Sequence, residues 1–145
     1  MSIPTWDQLP NFDLYKDQTV NVVNEASADY GGIISASMIN NYVKQKLIDP
    51  PIKKKYNRTH VAQLIFINLM KGIFTLEEII TLKQHLFLES QIEDHYNEFI
   101  ELFNERLSQT TSIGSDLPQV LDQLSGILIA KRQIKNLLQD PISEP

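Results

Sequence analysis

The sequence predicts a mainly helical protein, with short N-terminal helices around a basic loop and longer C-terminal helices. Three observations predict it. Apolar residues recur at helical spacing, most regularly Ile92, Tyr96, Phe99, Ile100, Phe103 and Leu107. Two stretches, Thr75 to Glu78 and Ser90 to Glu93, have the spacing of a capping box, in which a hydroxyl and a carboxylate satisfy free N–H groups at a helix start. Pro50-Pro51 and the lysines after it break the pattern once, early in the chain.

The elements follow in order. Residues 1–11, with Pro4 and Pro10, read as an extended lead-in whose Trp6 packs on the domain. A first helix is expected from Phe12 to Ala26, then a loop over 27–35 containing Gly31-Gly32. Ser35 or Ser37 caps a second helix through about Leu47, with Met38, Ile39, Tyr42, Val43 and Leu47 inward. Pro50-Pro51 ends it. Residues 52–57 form either a two-stranded wing or an irregular loop. Thr59 caps a third helix, apolar nearly all round and hence buried, with Gly72 at its end. A fourth helix runs from Thr75 to about Leu88, and a fifth opens at Ser90. A polar loop over 110–115 leads to a last helix from about Asp116 to Leu138, with Pro118 in its first turn.

The chain of 145 residues is 42% hydrophobic, which suits one domain, or a small domain with a helical extension. We divide it into residues 1–88 and a C-terminal region over 89–145. No apolar run is long enough to cross a bilayer. The start, MSIPTWDQLPNFD, lacks the basic and apolar parts of a signal peptide. Cysteine is absent, which excludes disulfides and thiolate metal sites. A cytoplasmic protein without a membrane partner is expected.

Charge is distributed unevenly. Residues 44–58 carry a net +5, the rest −10, giving −5 in all. An acidic protein with one basic patch has a polarised field. A short helix followed by a tight basic loop is one way to hold a DNA duplex, with the helix in a groove and the loop on phosphate.

In this order the segments from Asn41 to Ile48, Pro50-Pro51, Lys53 to Tyr56, His60 to Met70 and Phe74 to Ile79 resemble the MerR-type winged helix-turn-helix of bacterial transcription regulators. More narrowly, MINNYVK followed by PPIKKKY is similar to an uncharacterised bacterial family, domain of unknown function 1836. The resemblance implies a winged helix-turn-helix domain followed by C-terminal helices. It also implies binding to double-stranded DNA and dimerisation through the C-terminal helices. The sequence departs from the MerR pattern at Asn41, where the family has arginine, and at Lys46, where it has glycine.

Lys44, Lys53, Lys54, Lys55 and Arg58 are the candidate phosphate contacts, since cationic side chains on a helix end and loop can follow a backbone. Asn40, Asn41 and Gln45 are the base-reading candidates, because an amide both donates and accepts. Tyr42 and Tyr56 read as packing residues. Phe99, Phe103, Leu121, Leu124 and Leu128 are the dimerisation candidates. His60, His85 and His95 make no ligand set, and Glu93, Asp94, Glu98, Glu101 and Glu105 read as a solvated acidic stripe.

The expectation is a sequence-specific DNA-binding protein, a dimeric regulator. The alternative is a helical protein-interaction module that keeps the fold without DNA, favoured by net acidity and by Asn41 and Lys46. No nucleophile–base set and no phosphate-binding glycine loop is present, so neither an enzyme nor a cofactor is expected. The residues name no effector.

Overall fold

The computed structural model describes residues 2–87, 89–110 and 116–139. Among them, six α-helices follow one another: α1 (Lys16–Gly31), α2 (Ala36–Lys44), α3 (Arg58–Met70), α4 (Leu76–Leu86), α5 (Ile92–Gln109) and α6 (Leu117–Gln139). The described residues form no extended strand. Two isolated antiparallel bridges, Leu14 with Tyr56 and Ile52 with Lys55, are the β structure found there. The mainly helical class is as expected. Residues through Glu105 make one compact unit, and those from Arg106 onward make a second.

α3 is the centre of the first unit. Every residue from His60 to Asn68 is buried, as an all-round apolar helix requires. α1 packs against it so closely that a Cβ on Gly31 would lie 2.0 Å from the backbone oxygen of Asn68. Glycine is needed there because nothing larger fits. Asn68 closes the junction, its Nδ2 donating to Ser27 Oγ at 2.9 Å and to the Gly32 carbonyl at 3.0 Å.

Several boundaries differ from expectation, each for a local reason. α1 starts at Lys16 rather than Phe12, because Leu14 is extended and exchanges two backbone hydrogen bonds with Tyr56 at 2.7 and 2.8 Å. Gln18 Oε1 then accepts from the Tyr15 N–H at 2.9 Å and so secures the first turn. α1 also runs on to Gly31, so residues 32–35 alone connect it to α2. Asn24 fixes that connection, accepting from the Ile34 N–H at 2.7 Å and donating to the Ile34 carbonyl at 3.1 Å.

Asn57, not Thr59, caps α3. Its Oδ1 accepts from the His60 N–H at 3.1 Å, and His60 Nδ1 accepts from the Asn57 N–H at 2.9 Å. At the other end Lys71 rather than Gly72 is the cap. Thr75 and Glu78 form the expected box at α4, with bonds of 3.1 and 2.9 Å. A 3-10 turn over Glu89–Gln91 stands where the second box was expected, and α5 begins at Ile92. Residues 111–115 of the expected polar loop lie outside the described residues.

The first unit reaches well past residue 88 because α5 holds the lead-in. Asn104 accepts from the Ile3 N–H at 2.8 Å and donates to the Ile3 carbonyl at 2.9 Å. Asn97 Oδ1 accepts from the Trp6 N–H at 2.8 Å, and the Tyr96 hydroxyl donates to the Pro4 carbonyl at 2.8 Å. The Trp6 and Tyr96 rings meet edge-on at 6.2 Å, so Trp6 packs on the domain as expected. Ile3, Leu9 and Leu14 are buried beneath this clasp.

Candidate nucleic-acid interface

The basic segment begins where α2 stops. Ser35 opens that helix, its Oγ accepting from the Met38 N–H at 3.3 Å. Ile39 and Tyr42 face the core, and burial raises the Tyr42 hydroxyl above its ordinary pKa. The helix ends at Lys44, well before Pro50-Pro51. Lys46 adopts φ of +62°. Its N–H donates to the Val43 carbonyl at 3.1 Å, and the Leu47 N–H donates to the Tyr42 carbonyl at 2.8 Å. This pair of bonds is a Schellman stop, with buried Leu47 as its hydrophobic anchor. The stop normally uses glycine, and lysine occupies the position here.

After the prolines the chain makes a two-residue turn. Ile52 and Lys55 exchange backbone hydrogen bonds of 2.9 and 3.0 Å. Between them Lys53 and Lys54 adopt φ of +52° and +66°. Two successive positive φ values are the mark of the hairpin turn usually built from Asn-Gly. The turn is therefore closed by a single bridge, and its tip is a pair of lysines. Tyr56 anchors its base, buried and edge-on to His60 at 5.4 Å, with its hydroxyl pKa raised by burial. His60 Nε2 faces the Pro50 carbonyl at 3.1 Å, which ties the proline segment to α3.

The expected phosphate contacts separate into three groups. Lys44, Lys53 and Lys54 are exposed, as is Lys46. Lys55 is half-buried, with its Nζ 5.1 Å from the centre of the Tyr15 ring. Arg58 is turned inward. Its Nη2 donates to the Leu9 carbonyl at 3.1 Å, its Nε to the Pro10 carbonyl at 3.4 Å, and the guanidinium lies over the Trp6 ring. Those bonds make Arg58 a clasp for the lead-in.

Asn40, Asn41 and Gln45 stand exposed on α2. Asn40 accepts from Lys16 Nζ, and Asn41 Oδ1 accepts from Gln45 Nε2 at 3.2 Å. Among the dimerisation candidates, Phe99 lies edge-on to Phe66 at 5.6 Å and Phe103 edge-on to Tyr30 at 5.2 Å, both within the first unit. Leu121, Leu124 and Leu128 are at least half exposed on α6. His85 and His95 face the carbonyls of Thr81 and Leu86. No group of three potential metal ligands exists among the described residues. No described helix is long and apolar enough to cross a membrane.

Sequence reasoning passed over three residues. Lys46 stands out in the sequence as a basic charge and a departure from the family's glycine, but a glycine position before a buried leucine is also a sign of a helix stop. Gln63 is a polar residue inside the apolar run of α3, and it is only 6% exposed. Lys83 is half-buried on α4, with its Nζ donating to the Leu47 carbonyl. Burial lowers the pKa of its ammonium, against the opposing effect of Asp49.

Fold and surface together define a small helical protein with a lysine-tipped turn beside a short amphipathic helix. The chain belongs to the family described as domain of unknown function DUF1836, whose model matches residues 4–105. That match ends where the first compact unit ends. No curated protein and no solved structure matches the chain.

Proposed function

We propose that the protein is a cytoplasmic DNA-binding regulator of MerR-like, winged helix-turn-helix type. α2 would enter a groove, and Lys53 and Lys54 would grip phosphate beside it. One observation carries the reading. Among the described residues, the non-glycine positions with positive φ are Lys46, Lys53 and Lys54. Glycine adopts that conformation without the Cβ clash that penalises other residues. Lysine at all three sites sacrifices backbone ease for charge, and all three charges fall on one exposed segment. Strain kept at a surface points to use there.

The order of elements supports the same reading: a helix, a four-residue connection, a second short helix, a turn, then a buried helix. Fluorescence anisotropy with random duplex DNA across a salt series tests it. Binding whose logarithm falls with log salt at a slope of about −3 to −6 is expected, because each phosphate contact releases counterions. Absence of binding at low salt, from folded protein, removes the reading. Asn41→Ala is expected to change sequence preference rather than affinity for random DNA. A two-fold DNA site calls for a dimer. The exposed Leu121, Leu124 and Leu128 supply its contact, and light scattering that returns a monomer at micromolar concentration contradicts it.

The rival, a protein-interaction module, is favoured by the same exposed leucines and by the net acidity. A folded dimer without DNA affinity would favour it.

A further inference from the structure

Behind the basic turn lies an open cleft of about 750 Å³, a size typical of small-molecule sites. It lies between the segment carrying Lys46 to Ile52, the first half of α3, α4 and the start of α5. Its apolar lining includes Ile80, Phe87 and Ile92. The polar groups around it are unusual in what they lack.

Gln63 lines the cleft from α3, and its buried Oε1 has no hydrogen-bond partner. A buried acceptor without a donor costs stability, and native proteins keep few of them without a reason. Lys83 lines the cleft from α4. Its charge is held in a desolvated place by a neutral carbonyl, that of Leu47, with Asp49 as the nearby carboxylate. Lys46, itself exposed, also lines the cleft. Two lysines against one aspartate leave a net charge of +1 around the cleft.

We propose that this cleft binds a small organic monoanion: a carboxylate with a hydroxyl or amino donor, carried on an apolar body. Each part of the ligand answers one feature. The donor serves Gln63 Oε1. The carboxylate faces Lys83 and Lys46, and Asp49 disfavours a second negative charge such as that of a phosphate monoester. The apolar body covers Ile80, Phe87 and Ile92. The proposal shares Lys46 with the DNA reading, but Gln63, Lys83 and the apolar lining carry it without that reading.

The test is an NMR titration of the full ¹⁵N-labelled chain with four probes: benzoate, 4-hydroxybenzoate, 4-aminobenzoate and neutral 4-hydroxybenzamide. Saturable shifts at the amides of Gln63, Lys83 and Phe87 are expected with the hydroxy- and amino-carboxylates. Benzoate and the neutral amide are expected to bind at least about tenfold more weakly, each having lost one charged or hydrogen-bonded contact. Gln63→Leu should remain folded, because it removes an unpaired acceptor, and should bind benzoate and 4-hydroxybenzoate alike. Lys83→Met should abolish the preference for the carboxylate over the amide. The proposal is overturned by the absence of saturable shifts at these residues up to about 10 mM of every probe, a concentration that still detects the weakest specific binding. Equal affinity for benzoate and its hydroxylated analogue in the unaltered protein overturns it too, as does a donor preference that survives in Gln63→Leu.

Discussion

α3 and the segment from Lys44 to Lys55 treat polar residues in opposite ways. α3 buries His60, Gln63 and Asn68, and it spends His60 and Asn68 on fixing neighbouring backbone. The lysine segment leaves four cationic side chains in solvent and sets three of them at backbone angles that lysine disfavours. His60 and Asn68 therefore serve stability. Polar groups on the segment work against it, and so point to a role outside the fold. Arg58, the first residue of α3, serves the same end, because its guanidinium holds the lead-in.

The comparison can be broken or sharpened by substitution, beginning with the largest effect. Gly31→Ala drives a Cβ into the Asn68 carbonyl, an overlap with rigid backbone. We expect a loss of about 3 kcal/mol or more, read from urea denaturation, or failure to fold. Asn68→Ala removes two buried bonds and strands the groups they satisfied. A loss of about 2–3 kcal/mol is expected in the same experiment.

Tyr96→Phe removes the hydroxyl that holds Pro4 and should cost about 1–2 kcal/mol. It should also alter alkaline behaviour. Burial raises the pKa of Tyr96, and those of Tyr42 and Tyr56, above the ordinary 10.0. The folded chain keeps protons that the unfolded chain releases. Stability present below pH 10 is therefore lost as pH rises beyond it. Urea midpoints measured on both sides of that pH should fall less steeply for Tyr96→Phe than for the unaltered protein. Arg58→Met should cost about 1 kcal/mol through its lost carbonyl bonds and leave the salt dependence of DNA binding unchanged. An altered salt slope would return Arg58 to the phosphate contacts.

Much of this fold was legible because its signals are local. The box from Thr75 to Glu78 spans four residues, and the all-apolar run of α3 needs no partner to be recognised. Boundaries set from a distance were not legible. The late start of α1 depends on Tyr56, and the reach of the first unit to Glu105 depends on Asn97 and Asn104 bonding backbone about a hundred residues away. An asparagine on a helix surface carries no sign of which carbonyl it will meet. The site divides in the same way. The lysines were legible as charge, but their backbone angles and the inward turn of Arg58 were not, since both follow from the chain's path. Pro50-Pro51 is the more conspicuous break in the sequence, but the stop of α2 lies at Lys46.

The most direct measurement uses the double substitution Lys53→Gly, Lys54→Gly. Glycine suits the positive φ of both positions, so the turn keeps its shape and the chain should melt a few degrees higher. Two charges are removed without disturbing the fold. In fluorescence anisotropy with duplex DNA, the expected result is weaker binding and a salt slope shallower by about two, one for each lost phosphate contact. A variant that melts higher yet binds DNA with unchanged affinity and unchanged slope would contradict a phosphate-gripping turn.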